Sequence, residues 1–420
     1  MARPPLFFAR TVKRKGEITL SGTKKIKDGI YYTGILNPNM RVFDVVMRTE
    51  YGTSYNAYTV VGSEKTALID ASHLTFAEDY LETLEQVCDI AKVDYLVMNH
   101  CEPDHSGAVA KLVEKYPDIT VLVSQAGSIY LKGITNNPNM KVEVVKNGDT
   151  RDLGGKTLTF LSAPFLHWPD SIFTYLPEDK VVFTCDFLGA HYCEPLVWDN
   201  KVTYPKAYEE AVKVYYDAIF SPFAGYVRKG LDILSTLDFD TACTSHGPIL
   251  TKGCCLEWVM EQYRQWSAEP AGEKPLIPIF YCSAYGNTTQ LAEEIRAGIL
   301  SVKPEAEIPL YNVIEHDLGE QAAALNRSTA FLLGSPTINR NAVPPIWNLL
   351  AHIDAIGNQK KPVAVFGSFG WSGEAVPLLN GYLSNLKFNV AMDGLKVTFV
   401  PSEEDLKKAF AYGKEFAEKL

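Results

Sequence analysis

Short apolar runs that stop at polar, chemistry-bearing residues recur along the first part of the chain. Residues 95–98 (YLVM) lead into NHCEPDHSG, TLTFLSAPF precedes His167, VVFTC precedes Asp186, and TACTS precedes His246. Runs this short, rich in Val, Thr and Phe, predict strands whose ends carry the polar groups. Strand ends are where a rigid scaffold presents its chemistry. After a polar stretch containing Pro, Gly and Ala the rhythm changes. LIPIFYCSAYGNTTQLAEEIRAGIL reads as a strand, a polar loop and an amphipathic helix, and STAFLLGSPTINRNAVP and KPVAVFGSFGWSGEAVPLL repeat the strand-and-loop theme. That alternation predicts an open parallel sheet with helices on both faces.

The expected division is therefore a first domain over residues 1–265, with an N-terminal extension at 1–23, then a linker at 266–275 and a second domain at 276–420. At 420 residues the chain is long enough for such cores. A formal charge of −10 gives no support to binding of nucleic acid or acidic membranes. No apolar stretch approaches the roughly 20 residues that cross a bilayer, and MARPPLFFARTVKRKG lacks the pattern of a secretory signal. The expected location is cytoplasmic. Eight cysteines, none in a CxxC pair, are too few for a disulfide scaffold, and Cys254 and Cys255 are expected to be buried reduced thiols.

His100, Glu102, Asp104 and His105 lie within six residues, and His167, Asp186 and His246 follow at strand ends. Neutral imidazoles suit iron or zinc, and carboxylates lower the charge of a site with two cations and can bridge them. This mixed set points to two adjacent metals and to an enzyme. Taken singly, His167 reads equally well as an interface histidine and Asp186 as a cap. His191 and Tyr192 read as supports of the site or as core residues, and Cys101 as packing that points away from the ligands.

In the second domain three loops fall at strand ends. The first holds Ser283, Ala284, Tyr285, Gly286, Asn287 and Thr288, the second Ser335, Pro336, Thr337, Ile338 and Asn339, and the third Ser368, Phe369, Gly370, Trp371, Ser372 and Gly373. Hydroxyls and free N–H groups at a helix start make a phosphate cradle. The first loop has neither the lysine and spacing of a triphosphate loop nor GxGxxG, so a phosphate monoester is the expected ligand. Tyr285 and Trp371 are placed to flank a planar ring.

The second domain resembles a flavodoxin, with SAYGNTTQ as phosphate loop and GSPT and GSFGWSGEA as ring-flanking loops. The first resembles the metallo-β-lactamase fold, an αββα sandwich, with HxExDH where hydrolases of that fold carry HxHxDH. Glu102 in place of histidine, and this domain order, resemble the flavodiiron proteins over nearly the whole chain. The resemblance implies an FMN and two non-haem irons. His100, Glu102 and His167 would hold one iron, Asp104, His105 and His246 the other, and Asp186 would bridge them; in some members the counterpart of His105 turns away. RTEYGTSYNAYTV matches the family's early strands, with Tyr55 and Asn56 structural or supporting.

The implied activity is reduction of dioxygen to water or of nitric oxide to nitrous oxide. Electrons would come from a separate donor, rubredoxin or a reduced deazaflavin, since no CxxC pair follows the last helix. A head-to-tail homodimer, alone or paired into a dimer of dimers, would bring the flavin of one subunit to the irons of the other. The competing readings are a dizinc hydrolase fused to a flavodoxin domain and a non-catalytic flavodoxin-like electron carrier.

Overall fold

The computed structural model describes residues 10–14, 17–45, 47–268 and 274–420. Contacts divide the chain into two units, Met1–Ala268 and Glu269–Leu420.

In the first unit alternate side chains of each strand build two different cores. Val60, Ala67, Ile69, Val97 and Leu122 from one sheet meet Leu158, Phe160, Val181, Phe183 and Cys243 from another. Their neighbours Leu68, Leu96, Met98, Val121 and Val123 turn the other way, against Tyr80, Leu84, Val109 and Leu112 of the outer helices. On the second sheet Phe173, Val182 and Ala242 likewise pack outward on Tyr208, Val212, Leu231 and Tyr263. The period of two along a strand thus forces helix, sheet, sheet, helix layering, and it explains why these strands read as continuous apolar runs.

One sheet has seven strands, with Tyr95–Met98 lying parallel between Thr66–Ile69 and Thr120–Val123. The other has six, in which Val181–Cys185 runs parallel to Thr241–Thr244. Within the N-terminal extension, Arg10–Arg14 and Glu17–Ser21 form an antiparallel hairpin at the edge of a four-stranded sheet, and residues 1–9 lie outside the described set. No helix among the described residues is long and apolar enough to cross a membrane.

The second unit is a parallel sheet in which Ile279–Tyr281 lies between Leu310–Asn312 and Phe331–Gly334, and Pro362–Phe369 pairs onward. The strand order reverses beside Ile279–Tyr281, so a crevice opens at the carboxyl ends of the strands there. Helices Asn287–Leu300 and Glu403–Glu418 cover one face at very close range: a Cβ at Gly298 would lie 2.0 Å from the Phe410 carbonyl oxygen, and one at Gly413 2.0 Å from that of Ile295.

Candidate metal centre and flavin loops

Strand Tyr95–Met98 ends at Asn99, whose backbone N–H and side-chain amide both donate to the buried Asp70 carboxylate, at 2.8 and 3.0 Å. His100 follows, then Glu102, the residue before Pro103 at the start of the short helix Pro103–Ser106 that carries Asp104 and His105. Proline suits the first helical position and fixes the backbone there. His167, Asp186 and His246 arrive just beyond strands Thr157–Ser162, Val181–Cys185 and Thr241–Thr244.

The structure draws all seven side chains together. Glu102 Oε2 lies 3.2 Å from His100 Nε2 and 3.0 Å from His167 Nε2, and Asp186 Oδ2 is 3.7 and 3.6 Å from the same two nitrogens. On the other side Asp186 Oδ1 is 3.1 Å from His105 Nε2 and 3.5 Å from His246 Nε2, and Asp104 lies 3.4 Å from His105 and 3.0 Å from His246. Ligand atoms of His100, Glu102, His167 and Asp186 fall within 4.8 Å of one another, as do those of Asp104, His105 and His246. Asp186 therefore presents one oxygen to each group. His105 turns its Nε2 inward, toward Asp186.

These groups are arranged for cations. Both Asp104 oxygens, both His105 nitrogens and Asp186 Oδ2 are buried without a hydrogen bond of proper geometry. Buried unpaired polar atoms cost on the order of 1–3 kcal/mol each, so their concentration at one point fits metal ligation. Burial opposes charge on His100, yet hydrogen bonds to Asp170 and Glu102 outweigh it and hold the pKa well above the ordinary imidazole value. His105 is likewise opposed by burial but pushed up to about 10 by Asp104 and Asp186. Burial raises the Asp186 carboxyl, and His105 and His167 more than reverse it, leaving it well below the usual range. The local field favours positive charge among these ligands.

Outer contacts fix the ligands. His246 Nδ1 lies 2.5 Å from the Ser54 carbonyl oxygen. A carbonyl only accepts, so Nδ1 carries the proton and Nε2 keeps its lone pair for a metal. Asn56 donates to the carbonyls of Thr244 and Gly247 at 2.8 Å each, clamping the loop that carries His246. The Tyr55 ring packs edge-on to that of His246, with centroids 6.0 Å apart.

Three contributors escape reading from sequence. Asp170 sits at the outer nitrogen of His100. The Tyr215 hydroxyl donates to Asp186 Oδ1 at 3.1 Å from a helix far along the chain. Asp44, from the turn between strands Val42–Phe43 and Met47–Arg48, brings a third carboxyl toward Glu102 and Asp104; burial, then Glu102, push its pKa up to about 6. Only Asp170 left a trace, three residues after His167 in HWPD.

His191 is neutral, its pKa driven well below the ordinary value by burial and then by His246. Its Nδ1 meets the Thr53 hydroxyl at 2.8 Å, and its ring meets that of His246 edge-on, with centroids 4.8 Å apart. Tyr192 instead joins the helix-side core and accepts a hydrogen bond from the Tyr204 backbone. Cys101 is buried as packing. Cys254 departs from expectation: it is exposed and Cys255 only half-buried, both as free thiols, because they sit in the turn leading into helix Leu256–Trp266. With Asp199 they form another ligand-type group. Its carboxylate, however, already accepts from Asn200 N, Thr251 N, Thr251 Oγ1 and Cys255 N at 2.7–3.1 Å, which uses its lone pairs to fasten that turn.

In the second unit Gly286 takes φ +81° at the N-terminus of helix Asn287–Leu300, a conformation that suits glycine. The three loops are tied at their base. Thr288 and Ser368 hydroxyls meet at 3.0 Å, Thr337 N–H donates to the Ser368 carbonyl at 3.0 Å, and Ser335 Oγ accepts from Val343 N–H at 3.1 Å. Ser335, Pro336, Thr288 and Ser368 are buried, whereas Ala284, Tyr285, Gly286, Ile338, Asn339, Gly370 and Trp371 are exposed at the rim, with Ser283, Asn287, Thr337, Phe369, Ser372 and Gly373 between. Tyr285 is 90 % and Trp371 88 % exposed, with the Arg340 guanidinium 5.9 Å from the Trp371 ring centroid, so both loops present a large aromatic side chain to solvent. That combination fits a planar ring carrying a phosphate.

Residues 53–247 match the family model described as ODP family beta lactamase, and residues 279–413 match Flavodoxin. The chain is 54 % identical over 397 residues to "Flavo-diiron protein FprA2" of Clostridium acetobutylicum, covering 94 % of this chain and 99 % of that one. It is 33 % identical to "Anaerobic nitric oxide reductase flavorubredoxin" of Escherichia coli K12, covering 93 % and 81 %. Among solved structures, rubredoxin oxygen:oxidoreductase from Desulfovibrio gigas superposes with a TM-score of 0.67 at 28 % identity, over 94 % of this chain and 98 % of that one.

Proposed function

The chain belongs to the flavodiiron proteins, and from that premise we propose that it reduces dioxygen to water, nitric oxide to nitrous oxide, or both, using electrons that an external donor delivers through FMN. The observation that carries this reading is Asp186, whose two carboxylate oxygens face two separate sets of imidazole and carboxylate ligands.

His100, Glu102 and His167 would hold one iron and Asp104, His105 and His246 the other, with Asp186 shared. When bound, the paired irons supply electrons to the gas, and the FMN takes electrons up and passes them on. The chain's own part is to hold that chemistry in place. Five of the seven ligands are buried, which keeps bulk water from the centre; Glu102 and His167, each 14 % exposed at the side chain, mark its open side. Ser54 and Asp170 fix the tautomers of His246 and His100, and Tyr215 anchors one oxygen of Asp186. In the second unit the loop tied through Thr288 and Ser368 would cradle the FMN phosphate, with Tyr285 and Trp371 against the ring.

The donor is a small redox partner or reduced cofactor, with rubredoxin the first to test, since one structural neighbour carries it in its name. A head-to-tail homodimer would pair the flavin unit of one copy with the metal unit of another. Eight free cysteines suit the reducing cytoplasm. The test is anaerobic rapid mixing of iron- and FMN-loaded, fully reduced protein with each gas, with water or nitrous oxide quantified. Reoxidation with the matching product supports the proposal, and none with either gas contradicts it.

A further inference from the structure

We infer that Asp170 is a positioning residue of the metal centre: its carboxylate fixes His100 in the tautomer that turns Nε2 to the metal, and it makes that imidazole a stronger electron donor than the histidines of the other metal position. The inference rests on the diiron reading above.

Asp170 is completely buried. Both of its oxygens lie 3.1 Å from His100 Nδ1, and Oδ2 also accepts the backbone N–H of Cys101 at 2.7 Å. One carboxylate therefore grips both the ring of a ligand and the backbone of the next residue. An ionised carboxylate only accepts, so a proton lies on Nδ1, and Nε2, the atom that faces Glu102 Oε2 at 3.2 Å and Asp186 Oδ2 at 3.7 Å, is the nitrogen whose lone pair a metal would take in place of the proton it shares with those carboxylates. Asp170 also stands three residues after His167. The same contact thus sets the distance between the loop that carries His100 and the loop that carries His167, two ligands of one metal position.

The histidines of the other metal position are held differently. His246 Nδ1 donates to a neutral carbonyl, that of Ser54, and His105 Nδ1 has no hydrogen-bond partner among the described residues. A carboxylate acceptor draws the Nδ1 proton and raises the basicity of the opposite nitrogen more than a carbonyl does. The position served by His100 is thereby the more electron-rich of the two, and Asp170 makes the pair electronically unequal although its carboxylate touches neither metal-facing nitrogen.

The experiment compares wild type with Asp170→Asn, which keeps the size of the side chain and an oxygen for the Cys101 N–H while removing the charge. Metal per chain is followed against a competing chelator, and the midpoint potential of the metal centre by titration. Asp170→Asn should release one of two metals ~10–100-fold more readily and shift the potential upward, with unchanged FMN content. Zinc-loaded wild type, labelled at histidine nitrogens, should show a slowly exchanging downfield Nδ1 proton on His100, a readout that stands even if the variant fails to fold. Equal metal retention with an unshifted potential in the variant, or a His100 without a protonated Nδ1 in wild type, would overturn the inference. A wild type that binds no metal would instead overturn the diiron reading, which separates the two failures.

Discussion

The Tyr215 hydroxyl donates to Asp186 Oδ1 at 3.1 Å, so the oxygen that faces His105 and His246 is held from behind by a buried phenol. Tyr215 stays protonated far into alkali because burial, and then the charge of Asp186, push its pKa well above the ordinary value. The donor is permanent, and it steers the shared carboxylate without competing for a metal.

Tyr215→Phe removes this one hydrogen bond and leaves the ring. With a net worth of about 1.5–3 kcal/mol for a bond to a charged acceptor, turnover should fall roughly 10- to 150-fold while iron per chain stays near wild type. Steady-state gas consumption beside metal analysis checks it.

Asp186→Ala deletes the carboxylate common to both ligand sets. Gas reduction should fall below detection and iron content drop, while FMN stays at one per chain, since the flavin loops belong to the other unit. Full activity with intact iron would remove Asp186 from its role.

Trp371→Ala removes an aromatic face that is 88 % exposed, so it costs little folding stability. FMN affinity should weaken by ~0.5–1.5 kcal/mol, about 2- to 10-fold in Kd, with iron unchanged. Titration of apo-flavin protein with FMN, followed by flavin fluorescence, measures it.

Gly298→Ala places a methyl 2.0 Å from the Phe410 carbonyl oxygen, so helices Asn287–Leu300 and Glu403–Glu418 must part. Overpacking of this kind costs ~1–3 kcal/mol. The FMN unit should melt earlier in calorimetry, with the metal unit unaffected.

The gathering of the candidate ligands was legible in the sequence because these residues sit at the ends of apolar strand runs, where period and punctuation are plain. His100, His167, Asp186 and His246 all follow such runs. Asp170, Asp44 and Tyr215 were not legible, because their meaning comes from loops and a helix that meet only in the folded chain. The three candidate flavin loops follow strand endings as expected, but Thr288 and Ser368 tie two of them to each other, a pairing that spacing along the chain does not show. Cys254 and Cys255 read as buried because cysteine is so often buried; the Asp199 carboxylate instead fastens a surface turn around them.

Alkaline stability follows from the tyrosines. Burial raises the pKa of Tyr58, Tyr208, Tyr215 and Tyr263 well above the ordinary value. A raised folded-state pKa means stability that is full below the unfolded value, near pH 10, and lost as pH climbs above it, because the unfolded chain releases protons the folded one retains. The buried tyrosines' share of the tyrosinate absorbance should therefore rise cooperatively with loss of circular dichroism, rather than gradually ahead of it.

Mössbauer and EPR spectroscopy of iron-loaded protein at half reduction report whether the seven side chains hold two irons coupled through Asp186. Two irons per chain and a mixed-valence signal from a coupled pair, lost in Asp186→Ala, are the expected result. Two independent irons, or a single iron per chain, in correctly folded wild type would contradict it.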